Sequence, residues 1–329
     1  MFTNDFTAKL GIRLPIIGGA MYPSSNPELV AAVTRHGGIG VFQPISLTYV
    51  HGHDYREGIR LMQRLAGGPI GMNVITEKSA RYYLERMRKW LDIALEEGVR
   101  FFVSSLGNPR WIVERVESAG GLVYHDVTER KWALKALDAG VHGLIAVNNR
   151  AGGHAGARDP RKLYDELVDL NAPLILAGGI GDASQFAEAL EIGYLGVQIG
   201  TRLIATTECK AHPDYKQAIV SSTEDDIVLT DKISGVPVAV INTPYVRKTG
   251  ATAGRIARRL LRHNRTKHWM RMYYSMLSFV KLKRGLQRSA VYRNYWQAGK
   301  SVGTIRNIEP VGEIMARFAA ALPGAAPTA

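Results

Sequence analysis

One histidine of this 329-residue chain stands among small residues: Asn148-Asn149-Arg150-Ala151-Gly152-Gly153-His154-Ala155-Gly156. Small neighbours on both sides let the backbone lie flat against a ligand and present the imidazole at its edge. An imidazole titrating near neutrality serves as a general base, or donates a hydrogen bond to a developing anion. Two further stretches, Gly178-Gly179-Ile180-Gly181 and Gln198-Ile199-Gly200-Thr201-Arg202, put bare backbone N–H groups ahead of helical patterns. That arrangement makes an anion-binding nest, to which Thr201 adds a hydroxyl and Arg202 a charge. The plainer reading is that these glycines only permit tight turns; two such turns together favour a ligand that carries a phosphate.

The elements that position these residues are legible as eight short apolar runs: Leu14–Gly18, Gly38–Phe42, Pro69–Asn73, Arg100–Ser104, Gly121–His125, Gly143–Asn148, Pro173–Ala177 and Leu195–Gly200. Amphipathic stretches lie between them, among them Pro27–His36, Lys78–Glu97, Arg110–Ala119, Glu129–Ala139, Pro160–Leu170 and Ala183–Ile192. Strands without polar alternation suit a parallel sheet buried on both faces. Strand and helix alternating eight times predict a closed (β/α)8 TIM barrel. An open doubly wound sheet competes, but the first strand runs into Gly18-Gly19-Ala20-Met21, which is no dinucleotide fingerprint. A helix over Glu208–Val220, a linker, a basic segment and a last helix over Pro310–Ala321 complete the expected order. The expected domains are a barrel over 1–220, a basic helical lid or insertion over 221–308, and a returning helix with a frayed tail over 309–329.

In such a barrel the chemistry sits at the C-terminal ends of the strands. No lysine stands at those positions, which disfavours Schiff-base chemistry. Asp126 is their only carboxylate, so paired-carboxylate hydrolysis and a carboxylate-held metal are disfavoured too. His51 and His53 have ligand-like spacing without a third partner, and no metal is expected. The single cysteine, Cys209, forms no internal disulfide, and a reducing cytoplasm is the default location. Met1–Leu10 shows no apolar core, so no signal peptide is expected, and no uncharged run reaches the length of a membrane span.

The formal net charge of +13 is regional. Lys232–Ile308 holds 17 Lys and Arg and no Asp or Glu, leaving 25 basic against 29 acidic residues elsewhere. Within it, Arg255–Arg293 interleaves charge with Trp269, Met270, Met272, Tyr273, Tyr274, Met276, Leu277, Phe279 and Val280. This predicts two helices capping the strand ends. A water-excluding lid is one use for them; a docking surface for an acidic protein such as acyl carrier protein, or for an anionic membrane, is another. Nucleic acid is disfavoured, since no recognised binding motif accompanies the charge.

Several of these motifs resemble the nitronate monooxygenase (2-nitropropane dioxygenase) family: Pro15–Met21, Gly71-Met72-Asn73, Ala151–Gly156, Ala177–Ile180, Gln198–Arg202, Ala205–Glu208 with His212-Pro213, and Ala298–Gly303. The resemblance implies an FMN-dependent barrel enzyme that oxidises nitroalkanes or nitronates with O2. It implies flavin contacts at Ala20, Met21, Tyr22, Asn73, Gly153, Gly179, Gly200 and Thr201, with Gly178 and Gln198 adjoining. His154 matches the family's active-site histidine, which would take the substrate α-proton or steady the nitronate beside the flavin. Two positions depart from the family pattern: Arg150 where an acidic residue is common, and Lys300 where a glutamine is. Both would place positive charge at the pocket mouth, suiting an anionic substrate. The stretch Gly200–Lys216 looks equally like the FMN-dependent enoyl-acyl-carrier-protein reductases and the NAD(P)H:quinone reductases, so a reductase using NAD(P)H is the alternative activity.

Overall fold

The computed structural model describes residues 3–76, 81–232, 236–251 and 295–323. Eight parallel strands close on themselves in sequence order: β1 (Ile16–Gly18), β2 (Ile39–Phe42), β3 (Gly71–Ile75), β4 (Phe101–Ser105), β5 (Leu122–Val127), β6 (Gly143–Val147), β7 (Leu174–Ala177) and β8 (Gly196–Ile199), with β8 pairing back to β1. Helices flank the strands, so the fold is the (β/α)8 TIM barrel. Helix α1 (Asp5–Leu10), α2 (Pro27–Arg35), α3 (Tyr55–Ala66), α4 (Arg81–Glu96), α5 (Arg110–Glu117), α6 (Arg130–Asp138), α7 (Pro160–Leu167), α8 (Ala183–Ile192), α9 (Thr201–Ile204), α10 (Pro213–Ser221), α11 (Pro244–Thr249) and α12 (Val311–Ala320) follow in chain order.

The period of two within each strand sorts side chains into two cores. One face of each strand fills the barrel interior, where Ile17, Ile39, Val41, Phe101, Val103, Tyr124, Ile145 and Ile175 pack together. The other face packs on the helices with Leu29, Met62, Leu91, Ile112, Leu163 and Phe186. Helix α1 belongs to the inner core: Phe6 is buried, and its ring centroid lies 6.2 Å from Phe101 and 5.6 Å from Tyr124. Asn4 caps that helix, its side chain accepting from Thr7 N–H at 2.9 Å. Burying Phe6 contributes on the order of 2 kcal/mol. Close approach also sets residue type: a Cβ at Gly40 would fall 2.1 Å from the Val30 carbonyl oxygen, so β2 requires glycine beneath α2.

The sequence reading departs from the fold in two places. The helix expected from Glu208 begins at Pro213, with His212 as its cap; Glu208 instead accepts from Val311 N–H at 3.0 and 3.1 Å, fastening α12 to the barrel. The linker and the start of the basic segment contain an antiparallel ribbon, β9 (Ile227–Thr230) and β10 (Val238–Ile241), where no strands were anticipated. The lid helices over Arg255–Arg293 lie outside the described residues, as do the last residues of the expected tail. Helix α12 stacks Phe318 on Phe186 at 5.3 Å, returning the chain to the barrel's flank. Among the described residues, no helix is long and apolar enough to cross a membrane.

Candidate active site

Above the apolar inner core, the next inward-facing positions are polar: Gln43 and Asn73 on the β2–β3 side, Ser105 and Asp126 on β4 and β5, and Gln198 on β8. They floor a cavity of about 1220 Å³ at the C-terminal ends of the strands. Every residue singled out for a flavin lines this one cavity: Ala20, Met21, Tyr22, Asn73, Gly153, Gly178, Gly179, Gln198, Gly200 and Thr201, together with His154. The volume exceeds the roughly 300–1,000 Å³ of a single small-ligand pocket, leaving room for more than one small molecule.

Each wall is held by local bonds. The Asn73 amide donates to the Val103 carbonyl at 3.1 Å and to Ser105 Oγ at 3.3 Å. Met21 N–H donates to Ser25 Oγ at 2.7 Å, pinning the β1 loop. Asn148, fully buried at the end of β6, donates to the Gly178 carbonyl at 2.8 Å and accepts from Arg150 N–H at 2.7 Å, joining the β6 loop to the β7 turn. Gly178 and Gly179 have φ of +109° and +86°, which only glycine adopts without strain.

The glycines divide by what limits them. A Cβ at Gly178 would fall 2.6 Å from Ala151 N, so that glycine serves loop packing. A Cβ at Gly200 would meet only Met21 Sδ, at 3.5 Å, and would fill cavity space instead. Gly200 is the N-cap of α9 and Thr201 its first residue, and the first N–H groups of that helix have no intrahelical acceptor. These residues fit a phosphate-bearing flavin: donors and glycine space at the β7 and β8 turns, and cavity lining from Ala20, Met21 and Tyr22 of the β1 loop and from His154. Among the described residues, no group of three or more His, Cys, Asp or Glu converges. His51 donates from Nε2 to the Pro23 carbonyl at 3.0 Å.

The charges expected at the cavity are placed differently by the fold. Arg202 turns into the protein, 3% exposed, donating to the Ala205 and Asn307 carbonyls at 2.6 and 2.7 Å and pairing with Glu309 at 3.2 Å. Burial lowers its pKa to about 10, against the pull of Glu309. Its role is to tie the segment before α12 to the barrel. Arg150 does line the cavity, but it is paired with Glu224, and Lys300 is absent from the lining. The mouth is therefore less positive than the sequence alone suggested, because Glu224 sits across from Arg150 in the fold.

The His154 loop is held by distant chain. Gly153 and Ala239 of β10 exchange backbone hydrogen bonds of 3.3 and 2.7 Å. Lys300 N–H donates to the Arg150 carbonyl at 2.9 Å, and Gly299 N–H to Thr201 Oγ1 at 3.0 Å. Tyr215 donates to the Gln297 carbonyl and stacks on Trp296 at 5.7 Å. His154 is exposed at the rim. Below it, Asp126 is half-buried as a residue, but its Oδ1 is out of reach of solvent and has no hydrogen-bond partner among the described residues. Burial pushes this carboxyl up to about 7, opposed by a hydrogen bond with the Gln198 side chain. His125, facing outward from β5, shares a hydrogen bond of 2.8 Å with Ser104, and burial lowers its pKa to about 4. The sequence reading noted Asp126 only as a lone carboxylate, gave no role to Gln43 and Ser105 at the strand ends, and missed Gln297 and Ser301. Their signal was the inward period of the strands and the late Ala298–Gly303 motif.

A closed (β/α)8 barrel with one large ligand cavity at its strand ends defines a barrel enzyme with chemistry at its mouth. Residues 4–320 match the nitronate monooxygenase family model, and the chain belongs to that family of flavin enzymes. It is an oxidoreductase. A probable nitronate monooxygenase of Staphylococcus saprophyticus is 28% identical over 284 residues, covering 74% of this chain and 79% of the relative. A bicyclic carboxyl-CoA dehydrogenase of Rhodococcus jostii is 26% identical over 241 residues, covering 73% and 66%. Among solved structures, FabK of Thermotoga maritima superposes with a TM-score of 0.78 at 27% identity, covering 97% of this chain and 95% of that one.

Proposed function

We propose that this protein is an FMN-dependent oxidoreductase that oxidises alkyl nitronates with dioxygen. The observation that carries this reading is the convergence of the β7 and β8 glycine turns and His154 on one cavity. Gly179, Gly200 and Thr201 would hold the phosphate, and Ala20, Met21, Tyr22 and Asn73 the ring. FMN, when bound, supplies two-electron oxidation of the substrate and reaction with O2. His154 accepts the α-proton of a nitroalkane, or donates a hydrogen bond to the nitronate oxygens. Gly153 and Ala239 fix the backbone that carries it, so the imidazole meets substrate at a set distance.

A second reading is favoured by the likeness to FabK over nearly the whole chain: a reductase that takes hydride from NAD(P)H to an enoyl thioester or a quinone. The outer arm of the cavity, lined by Leu106, Trp132 and Lys135, has room for a longer substrate. Anaerobic mixing of FMN-loaded protein with NADH or NADPH separates the two. The monooxygenase reading expects no rapid bleaching by either nucleotide, and oxygen uptake when an alkyl nitronate is added. Rapid bleaching by a nicotinamide, without nitronate-dependent oxygen uptake, overturns it in favour of the reductase.

A further inference from the structure

Asp126 has no part in the chemistry described so far. It stands two residues beyond Tyr124 on β5, on the inward face, so it rises from the barrel interior directly into the cavity floor. One carboxyl oxygen is engaged with the Gln198 side chain; the other, Oδ1, is enclosed and, among the described residues, without a partner. An unpartnered carboxylate oxygen in such a place is strongly disfavoured, and the group escapes that cost by binding a proton. A protonated carboxyl is then a donor on a residue that lines the cavity floor.

Among the described residues, no counter-charge acts on it. The strands on either side offer Ser105 and Val147, and Gln198 lies across the barrel. Among the described residues, the titratable groups along the cavity are Tyr22 from the β1 loop, His125 from β5, Arg150 and His154 from the β6 loop, Tyr215 from α10, and Lys135 and Asp138 from α6. Of these, Arg150 is already paired with Glu224, and His125, the neighbour on β5, faces the opposite way onto Ser104. Burial alone raises the Asp126 carboxyl, to about 7, which places its ionisation in the working range of an enzyme.

We propose that Asp126 is a proton-bearing residue beneath the cofactor: protonated, it donates a hydrogen bond upward to bound FMN, and its ionisation weakens FMN binding and disfavours reduction. The inference rests on the FMN reading of the cavity. Its physical basis is repulsion, since reduction adds two electrons to the cofactor above an already negative carboxylate. The balance is simple. Two electrons leave the organic substrate, which is oxidised, and enter FMN with the proton that FMN itself binds. Above the Asp126 titration, one more proton passes from solvent to the carboxylate.

The test is the midpoint potential of FMN-loaded protein from pH 6 to pH 9, read by the visible spectrum, in wild type, Asp126→Asn and His154→Asn. Each additional proton coupled to a two-electron reduction adds about 30 mV per pH unit. Wild type and His154→Asn are expected to show this extra slope above the titration, and Asp126→Asn to lack it. FMN affinity should likewise fall with rising pH, by up to about tenfold per unit, in the first two proteins and stay level in the third. If Asp126→Asn does not fold, Asp126→Ser makes the same comparison. Superposed slopes in wild type and the Asp126 variants overturn the proposal and leave the FMN reading standing. Loss of the extra slope in His154→Asn overturns it in favour of the rim histidine. A folded wild type that takes up no FMN removes the cofactor reading and this proposal together.

Discussion

The two sides of the cavity mouth are built differently. On the β7 and β8 side, the residues that shape it are contiguous: Gly178-Gly179 directly follow β7, and Gly200-Thr201 directly follow β8. On the β6 side, the loop that carries His154 has local bonds, such as Arg150 N–H to Asn148 at 2.7 Å, but is also held by distant chain. Its backbone is paired with Ala239 of β10 and joined through the Arg150 carbonyl to Lys300, about 150 residues further along the chain. The first side is a binding surface made by backbone geometry; the second is a positioned side chain whose precision depends on remote elements. Mutations on one side should therefore change affinity, and mutations on the other should change turnover.

The largest expected effect is at His154 itself. His154→Ala should cut turnover by about 10²–10⁴-fold, the usual worth of a positioned proton-transfer group, while the bound-flavin spectrum persists. Steady-state kinetics on FMN-loaded protein check this. Gly200→Val should act on the other side, weakening FMN binding by about 100-fold through its side chain's intrusion into the cavity, on the order of 3 kcal/mol of overpacking. Fluorescence titration of apoprotein reads that change. Ala239→Pro removes the 2.7 Å bond to the Gly153 carbonyl, and should lower turnover about tenfold with FMN affinity unchanged. An equal loss of affinity would erase the distinction between the two sides.

The smallest effect concerns the scaffold under both. Burial holds the His125 pKa at about 4, so the unfolded chain binds the extra proton between pH 4 and pH 6.5. Stability is then complete above pH 6.5 and falls as the pH drops through that window, by about 1 kcal/mol from pH 6.5 to pH 5.5. Urea midpoints at those two pH values should show the loss in wild type and a smaller one in His125→Asn.

The same division explains what was legible in the sequence. The eight strands were readable because burial on both faces makes them β-branched and unalternating, and the glycine turns because positive φ or tight approach restricts those positions to glycine. The clamp on the His154 loop was not readable. Ile227–Thr230 and Val238–Ile241 are short apolar runs beside a strongly basic segment, and their pairing with Gly153 is a long-range event that no local pattern encodes. Arg202 misled for a related reason: its position after Gly200-Thr201 suggested an anion partner, but its side chain finds Glu309 and two carbonyls behind the turn. Asp126 was visible as a residue and not as a buried acid, because burial comes from closing the barrel.

The central claim is that the backbone turns after β7 and β8 hold the phosphate of a flavin mononucleotide. Comparing apoprotein affinity for FMN and for riboflavin, which lacks only the phosphate, tests it directly. The account predicts that FMN binds at least about 100-fold more tightly, as expected for a phosphate held by several charge-assisted hydrogen bonds. Equal affinities, or no uptake of either by the folded protein, would contradict it.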